Sequence, residues 1–137
     1  MNDFPSFMKT PQNHIGSSEQ NTEDIDGYYF EGNDGSQMAF WTCHSDRVSK
    51  EHQHDFDEYI VCVQGQYTAI VDGKETVLNP GDELLISKDT VQSGRCIAGT
   101  RTIHAFSGKR IKNSSGDSEK PLFMSKGDPT GMKKRLS

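Results

Sequence analysis

Between residues 27 and 111 the chain is a succession of short apolar runs, and none of them sustains the three-to-four-residue spacing of an amphipathic helix. The runs are "GYYFEG", "SQMAFWTC", "EYIVCV", "QYTAIV", "ETVL", "DELLI" and "TRTIHAF". Between them stand "NDG", "QG", "DG", "NPGD" and "SG", residues that bend a chain rather than extend it. Strands this short at this spacing suggest an antiparallel sandwich or barrel. Asp72-Gly73 offers the two positive-φ positions of a type I′ hairpin. "NPGD" predicts a second tight turn, with Pro80 fixing φ and Gly81 free to turn left-handed.

Composition sets the limits of this unit. The sequence of 137 residues is expected to form one domain. Its apolar residues are concentrated in the middle: six lie in residues 1–26, five in 112–137, and the rest between. The expected organisation is therefore an N-terminal arm (1–26), a β domain (27–111) and a polar, basic C-terminal arm (112–137). By composition the arms resemble linkers. If they pack, a partner subunit is a natural surface, because a small sandwich benefits from covering its edge strands.

No apolar run approaches the roughly 18 residues needed to span a bilayer, so no membrane association is expected. Cys43, Cys62 and Cys96 include no CxxC pair. An odd, scattered set argues against a disulfide scaffold and points to a reducing, cytoplasmic setting. The net charge of -5 divides unevenly, because the chain from residue 108 onward carries eight Lys or Arg against three Asp or Glu. Such a tail can touch nucleic acid, but solubilising a loose end or lying on the acidic body is the commoner use. No glycine-rich phosphate loop, Walker-type lysine or nucleophile elbow is present, and no nucleic-acid partner is expected.

The stretch "EHQHDFDEYIVCVQG", residues 51–65, carries the chemistry. His52 and His54 share parity, so on a strand both point to one face with Cα atoms about 6.6 Å apart at roughly 3.3 Å per residue. Two imidazoles at that spacing can converge on one ion. Glu58 has matching parity but lies roughly 20 Å along a straight strand. The chain must therefore reverse at residues 55–57, making Glu58 the first inward residue of the next strand. That geometry gathers the ligand set of two-histidine, one-carboxylate metal sites. A polar strand with surface histidines is the ordinary alternative, and His-x-His by itself is weak evidence.

The spacing His52, His54, Glu58, Gly65 resembles the first motif of the cupin superfamily, in its small single-domain form. Asp46 occupies the position of that motif's leading glycine. "NPGDELLISKDTVQSG" is similar to the second motif through Pro80, Gly81 and Asp82, but Gln92 stands where the family places a fourth, histidine ligand. The resemblance implies an all-β, antiparallel jelly-roll barrel, the double-stranded β-helix. It also implies a divalent transition metal (Fe, Mn, Zn or Ni) held by His52, His54, Glu58 and Gln92. An amide oxygen is a weaker donor than imidazole. Gln92 can bind the metal, bind a water that binds it, or leave the site weak. A homodimer is a further expectation from the resemblance.

Several residues have two plausible uses. His104 is a candidate for the same cavity, with a satisfied core histidine as the alternative. Trp41 and Tyr67 can line a pocket or simply fill the core. Arg101 offers a bidentate fork for a substrate carboxylate, although an ion-paired or surface arginine is commoner. Cys62 has inward parity and is expected to be a buried, inert thiol. Lys109 and Arg110 end the last strand and are expected to be solvated. The function expected is binding, and transformation, of a small organic molecule inside the barrel by oxygenase-, isomerase- or lyase-type chemistry. The alternative is a non-enzymatic binding or sensing module with a weakened metal site.

Overall fold

The computed structural model describes residues 1–112. Nine strands carry the fold: β1 (Ile25–Glu31), β2 (Gln37–Cys43), β3 (Arg47–Val48), β4 (Glu58–Gln64), β5 (Tyr67–Val71), β6 (Lys74–Leu78), β7 (Glu83–Ile86), β8 (Gln92–Cys96) and β9 (Arg101–Phe106). They form two antiparallel sheets in the orders β1-β2-β9-β4-β7 and β3-β8-β5-β6. The antiparallel all-β architecture expected from the run-and-turn pattern is present, in the jelly-roll arrangement that the resemblance implies. Asp72 and Gly73 both take positive φ (51° and 81°) between β5 and β6, and Gly81 does so (94°) ahead of β7.

Alternation along the strands decides what is buried. On β4, Glu58, Ile60 and Cys62 point inward while Tyr59 is exposed. Ile60 and Cys62 join Leu78 and Ile86 in one apolar cluster. Ile15, Ala39, Trp41, Phe106 and Ile111 form a second. Each such side chain contributes about 1.5–3 kcal/mol on burial. Phe40 breaks the alternation, since it faces outward from β2 yet is 2% exposed. Its cover is Phe4 of the N-terminal arm, edge-on at 5.1 Å between ring centroids.

The N-terminal arm is therefore not a loose linker. It carries three 3-10 turns (Ser6–Met8, Pro11–Asn13, Ser17–Glu19), and Ile15 is completely buried against the barrel. Its surface is this chain's own body. The C-terminal arm beyond residue 112, with its basic tail, lies outside the described residues.

Two strands were not legible as such, the two-residue β3 and β8. "SG" at 93–94 sits inside β8 rather than in a turn, and Gln92, Ser93 and Gly94 are all buried. A polar strand can be buried here because it walls a cavity. Gly94 is required because a Cβ there would overlap the Tyr67 hydroxyl.

The cysteine expectation is also corrected. Cys43 of β2 and Cys96 of β8 are disulfide-bonded across the two sheets, with Cα atoms 6.8 Å apart. Cys62 is left as a buried free thiol, and burial raises its pKa. With that bond in place, the cysteine pattern no longer argues for a reducing compartment. Among the described residues no helix is long and apolar enough to cross a membrane.

The outer face of the five-stranded sheet carries an apolar row. Phe30, Met38, Ala105, Tyr59 and Leu85 are register partners from strand to strand across the whole sheet. Phe30 and Met38 are each 51% exposed and Leu85 is 65% exposed.

The disulfide closes a loop spanning 53 residues, for which chain-entropy arguments give a stabilisation of about 4 kcal/mol. Alkylation under denaturing, non-reducing conditions should label one thiol per chain, and three after reduction. The Cys43→Ala/Cys96→Ala variant is expected to melt about 10 °C or more below the wild type.

Candidate active site

The reversal at residues 55–57 is fixed by three bonds. The Asp57 amide donates to Ser107 Oγ (2.9 Å), the Ser107 amide to Asp57 O (3.0 Å), and the Lys88 amide to Asp57 Oδ1 (2.9 Å). Phe56 fills the inside of the turn, its ring stacked on His54 at 4.7 Å. Upstream, His52 and Gln92 form an isolated bridge, each amide donating to the other's carbonyl at 2.8 Å. The two side chains therefore leave adjacent backbones toward the same space. The His52 and His54 rings lie 4.9 Å apart.

Glu58, at the start of β4, is 4% exposed. Its Oε2 lies 2.6 Å from Nδ1 of His104. His104 Nε2 lies in turn 3.0 Å from Thr102 Oγ1. Glu58 Oε1 accepts no hydrogen bond among the described residues and stands 3.7 Å from Nε2 of His54. Burial alone would raise the Glu58 pKa. The His104 hydrogen bond, with the charges of His104, His54 and His52, overcomes it and lowers the carboxyl to about 2. Burial depresses the His52 imidazole, against an opposing hydrogen bond to the Lys50 carbonyl. Burial, with the charge of Glu58 behind it, raises the Tyr67 phenol.

These side chains meet at an internal cavity of about 70 Å³. Trp41, His52, Glu58, Tyr67, Gln92 and His104 line it, and residues 20–22 cover it. His54 is set back behind this wall, between Phe56 and Phe106. Trp41 packs edge-on against His104 at 4.8 Å. A larger, open groove of about 1180 Å³ passes Asp24, His44 and Arg47, but it contains none of the four predicted metal ligands.

Two expectations about arginines are reversed. Arg101 does not line the cavity; its Nε donates to Gln64 Oε1 (2.9 Å), its Nη2 to Met1 O (3.0 Å), and its guanidinium lies over the Phe4 ring. It pins the N-terminal arm from the outward face of β9. Arg110, expected in solvent, folds over the cavity instead, with Cζ 5.3 Å from the centre of the Trp41 ring and 5.8 Å from that of Phe106. No strand alternation marked Arg110, because β9 ends at Phe106 and the chain bends at residues 107–108 before reaching it.

Among the described residues no group of three or more His, Cys, Asp or Glu is arranged to hold a metal ion. The closest approach to one is the His54–Glu58 pair. Two donors each about 2.1 Å from a common ion lie roughly 3–4 Å apart, and the 3.7 Å between His54 Nε2 and Glu58 Oε1 fits that. His52 and Gln92 face the same space but would have to move inward to complete a set.

Glu58 makes stability depend on acid. Its folded pKa is below the unfolded value of 4.5, so its contribution is complete above that value and disappears as pH falls toward 2. Denaturant titrations should show the stability difference between wild type and Glu58→Gln shrinking by about 3 kcal/mol between pH 5 and pH 2.

The cupin domain family model matches residues 39–97. Solved structures share the fold at low identity. KdgF from Halomonas sp. is 18% identical, with 67% of this chain and 89% of that chain covered and a TM-score of 0.57. An RmlC-like cupin from Shewanella frigidimarina is 19% identical, with coverage of 77% and 93% and a TM-score of 0.60. A salicylate 1,2-dioxygenase from Pseudoaminobacter salicylatoxidans, in complex with gentisate, is 9% identical. There 61% of this chain covers 25% of the other, with a TM-score of 0.57. No curated protein matches the sequence.

Proposed function

We propose that the protein, whose residues 39–97 match the cupin domain family model, binds a small organic molecule in the cavity and acts on it there, assisted by a divalent transition metal on His52, His54, Glu58 and Gln92. The observation that carries this reading is Glu58. A buried carboxylate oxygen with no donor hydrogen bond, 3.7 Å from an imidazole nitrogen, is poised for a cation or a ligand proton. When bound, the metal would act as a Lewis acid toward a ligand oxygen.

The chain's own groups divide the remaining work. Glu58 stays ionised through the neutral range. His104 presents Nδ1 to Glu58 Oε2 and Nε2 to Thr102, so a proton on Nδ1 is held on the carboxylate side. The hydrogen-bonded pair can give or accept one proton through the cavity-facing carboxylate. Trp41 and Tyr67 supply the flat apolar walls that orient a ligand. The relatives' printed names span a dioxygenase and an RmlC-like cupin. Since one fold hosts many chemistries, oxygenase-, isomerase- and lyase-type reactions all stay within the proposal.

A second reading, a binding module without catalysis, is favoured by one feature. His104 already occupies Glu58 Oε2 at 2.6 Å, and Gln92 replaces a stronger imidazole donor. Elemental analysis of untagged protein separates the two. Stoichiometric iron, manganese, zinc or nickel is expected, and lost from a His52→Ala/His54→Ala variant whose circular dichroism is unchanged. Undiminished metal in that variant would overturn the ligand assignment. Gln92→His should tighten metal binding by about tenfold or more. Protein that carries no metal as purified and still binds small molecules would favour the binding module.

The apolar row on the five-stranded sheet supports a homodimer, because exposed apolar surface spanning all five strands is costly in a monomer. Light scattering after size exclusion should give twice the 15.3 kDa chain mass, and Met38→Lys/Leu85→Lys should give the monomer.

A further inference from the structure

Three arginines border the cavity: Arg47, Arg95 and Arg110. Arg95 is neutralised by a bidentate pair with Glu75, at 3.0 and 2.8 Å. Arg47 faces Asp24 at 3.6 Å. Arg110 differs. Its Nη1 donates to the backbone carbonyl of Glu19 at 2.7 Å; the charges of Glu58 and Glu19 act on it, but among the described residues no carboxylate forms a salt bridge with it. It is the most deeply placed of the three, held over Trp41 and Phe106. A guanidinium taken out of water with no carboxylate hydrogen-bonded to it keeps donors that an anion can complete.

We propose that the ligand of this cavity is a small carboxylate, and that Arg110 is the residue that captures it. This rests on the reading that the cavity is the binding site, and it names the class of molecule bound. A guanidinium presents two parallel N–H donors that match the two oxygens of a carboxylate, and charge-assisted bonds of this kind outweigh one to a backbone carbonyl. The arriving carboxylate therefore takes over donors now shared with Glu19, and the rest of the molecule lies between Trp41, Tyr67 and the Glu58–His104 pair. Glu58 opposes an anion here, and the His104 bond to its Oε2 at 2.6 Å together with the charge of Arg110 offsets that repulsion. A divalent metal at the neighbouring donors would add positive charge and favour an anion further. The size of the space sets the ligand's scale: about 70 Å³ corresponds to roughly two waters at about 30 Å³ each. That is room for a molecule of a few heavy atoms, with cover residues 20–22 yielding as it enters.

Trp41 is the chain's single tryptophan and touches both Arg110 and the cavity, so its fluorescence reports occupancy directly. The test uses the full chain after dialysis against chelator, titrated with lactate, with its uncharged counterpart lactamide, and with inorganic phosphate. Lactate is expected to give a saturable change in Trp41 emission, with lactamide giving none and phosphate binding more weakly. Arg110→Gln should weaken lactate binding by about tenfold or more. Arg110→Lys, which keeps the charge but not the fork, should fall between the two. If Arg110→Gln does not fold, as judged by circular dichroism, the lysine variant decides, and undiminished affinity in it counts against the proposal. Lactamide binding as well as lactate, phosphate binding more tightly, equal lactate affinity in Arg110→Gln, or no saturable response in the wild type would each overturn it. Because the titration is metal-free, the outcome does not depend on metal binding. The metal content of Arg110→Gln before dialysis should equal that of the wild type, and a loss there would count against the metal assignment instead.

Discussion

A carboxylate buried at the mouth of a β-barrel is the constraint from which the rest of this site follows. Taking Glu58 out of water is unfavourable by several kcal/mol unless donors and positive charge surround it. His104 answers one oxygen at 2.6 Å. To bring that about, β4 and β9 must pair so that Glu58 and His104 both face inward, in the register that sets Ile60 opposite His104. The reversal at residues 55–57 must then close tightly enough to return His54 toward the same point, which the Asp57–Ser107 and Asp57–Lys88 bonds ensure.

The barrel interior is divided as a result. Along β4 the inward series runs Glu58, Ile60, Cys62, from a charged mouth into an apolar floor of Ile60, Cys62, Leu78 and Ile86. Along β9 it runs Thr102, His104, Phe106, beside Trp41. Apolar packing at the floor supplies the cohesion that lets the mouth remain polar. The Cys43–Cys96 bond ties the two sheets together, and Ile15 of the folded-back N-terminal arm joins the apolar cluster of Ala39, Trp41, Phe106 and Ile111.

The fold shared with cupin structures hosts many reactions, so the likeness does not name the chemistry. What individualises this chain is the combination of a glutamine at position 92, a glutamate already engaged by His104, and an arginine placed over the cavity. The first two weaken the site as a metal cage. The third gives it a preference of charge. On the proposed reading, together they make a small, anion-seeking pocket whose carboxylate–imidazole pair handles a proton.

Much of this was written locally. Period-two alternation, the Asp72-Gly73 and Pro80-Gly81 turns and the His52, His54, Glu58 spacing depend on backbone geometry within a few residues, and all of them could be read before any coordinates. Four features were not legible. "QSGRC" did not read as a strand, because its buried face lines a cavity and so lacks the apolar signature. Cys43 and Cys96 pair only once two sheets face each other, 53 residues apart in the chain. Arg101 and Arg110 exchanged their expected places, since the folding-back of the N-terminal arm decides which arginine finds Phe4 and which finds Trp41. The sequence alone determined which way each strand's side chains alternate; the tertiary structure alone decided what covers each face. Alternation follows from the pleat of a single strand, whereas cover comes from segments far away in the chain whose docking depends on every other contact being made.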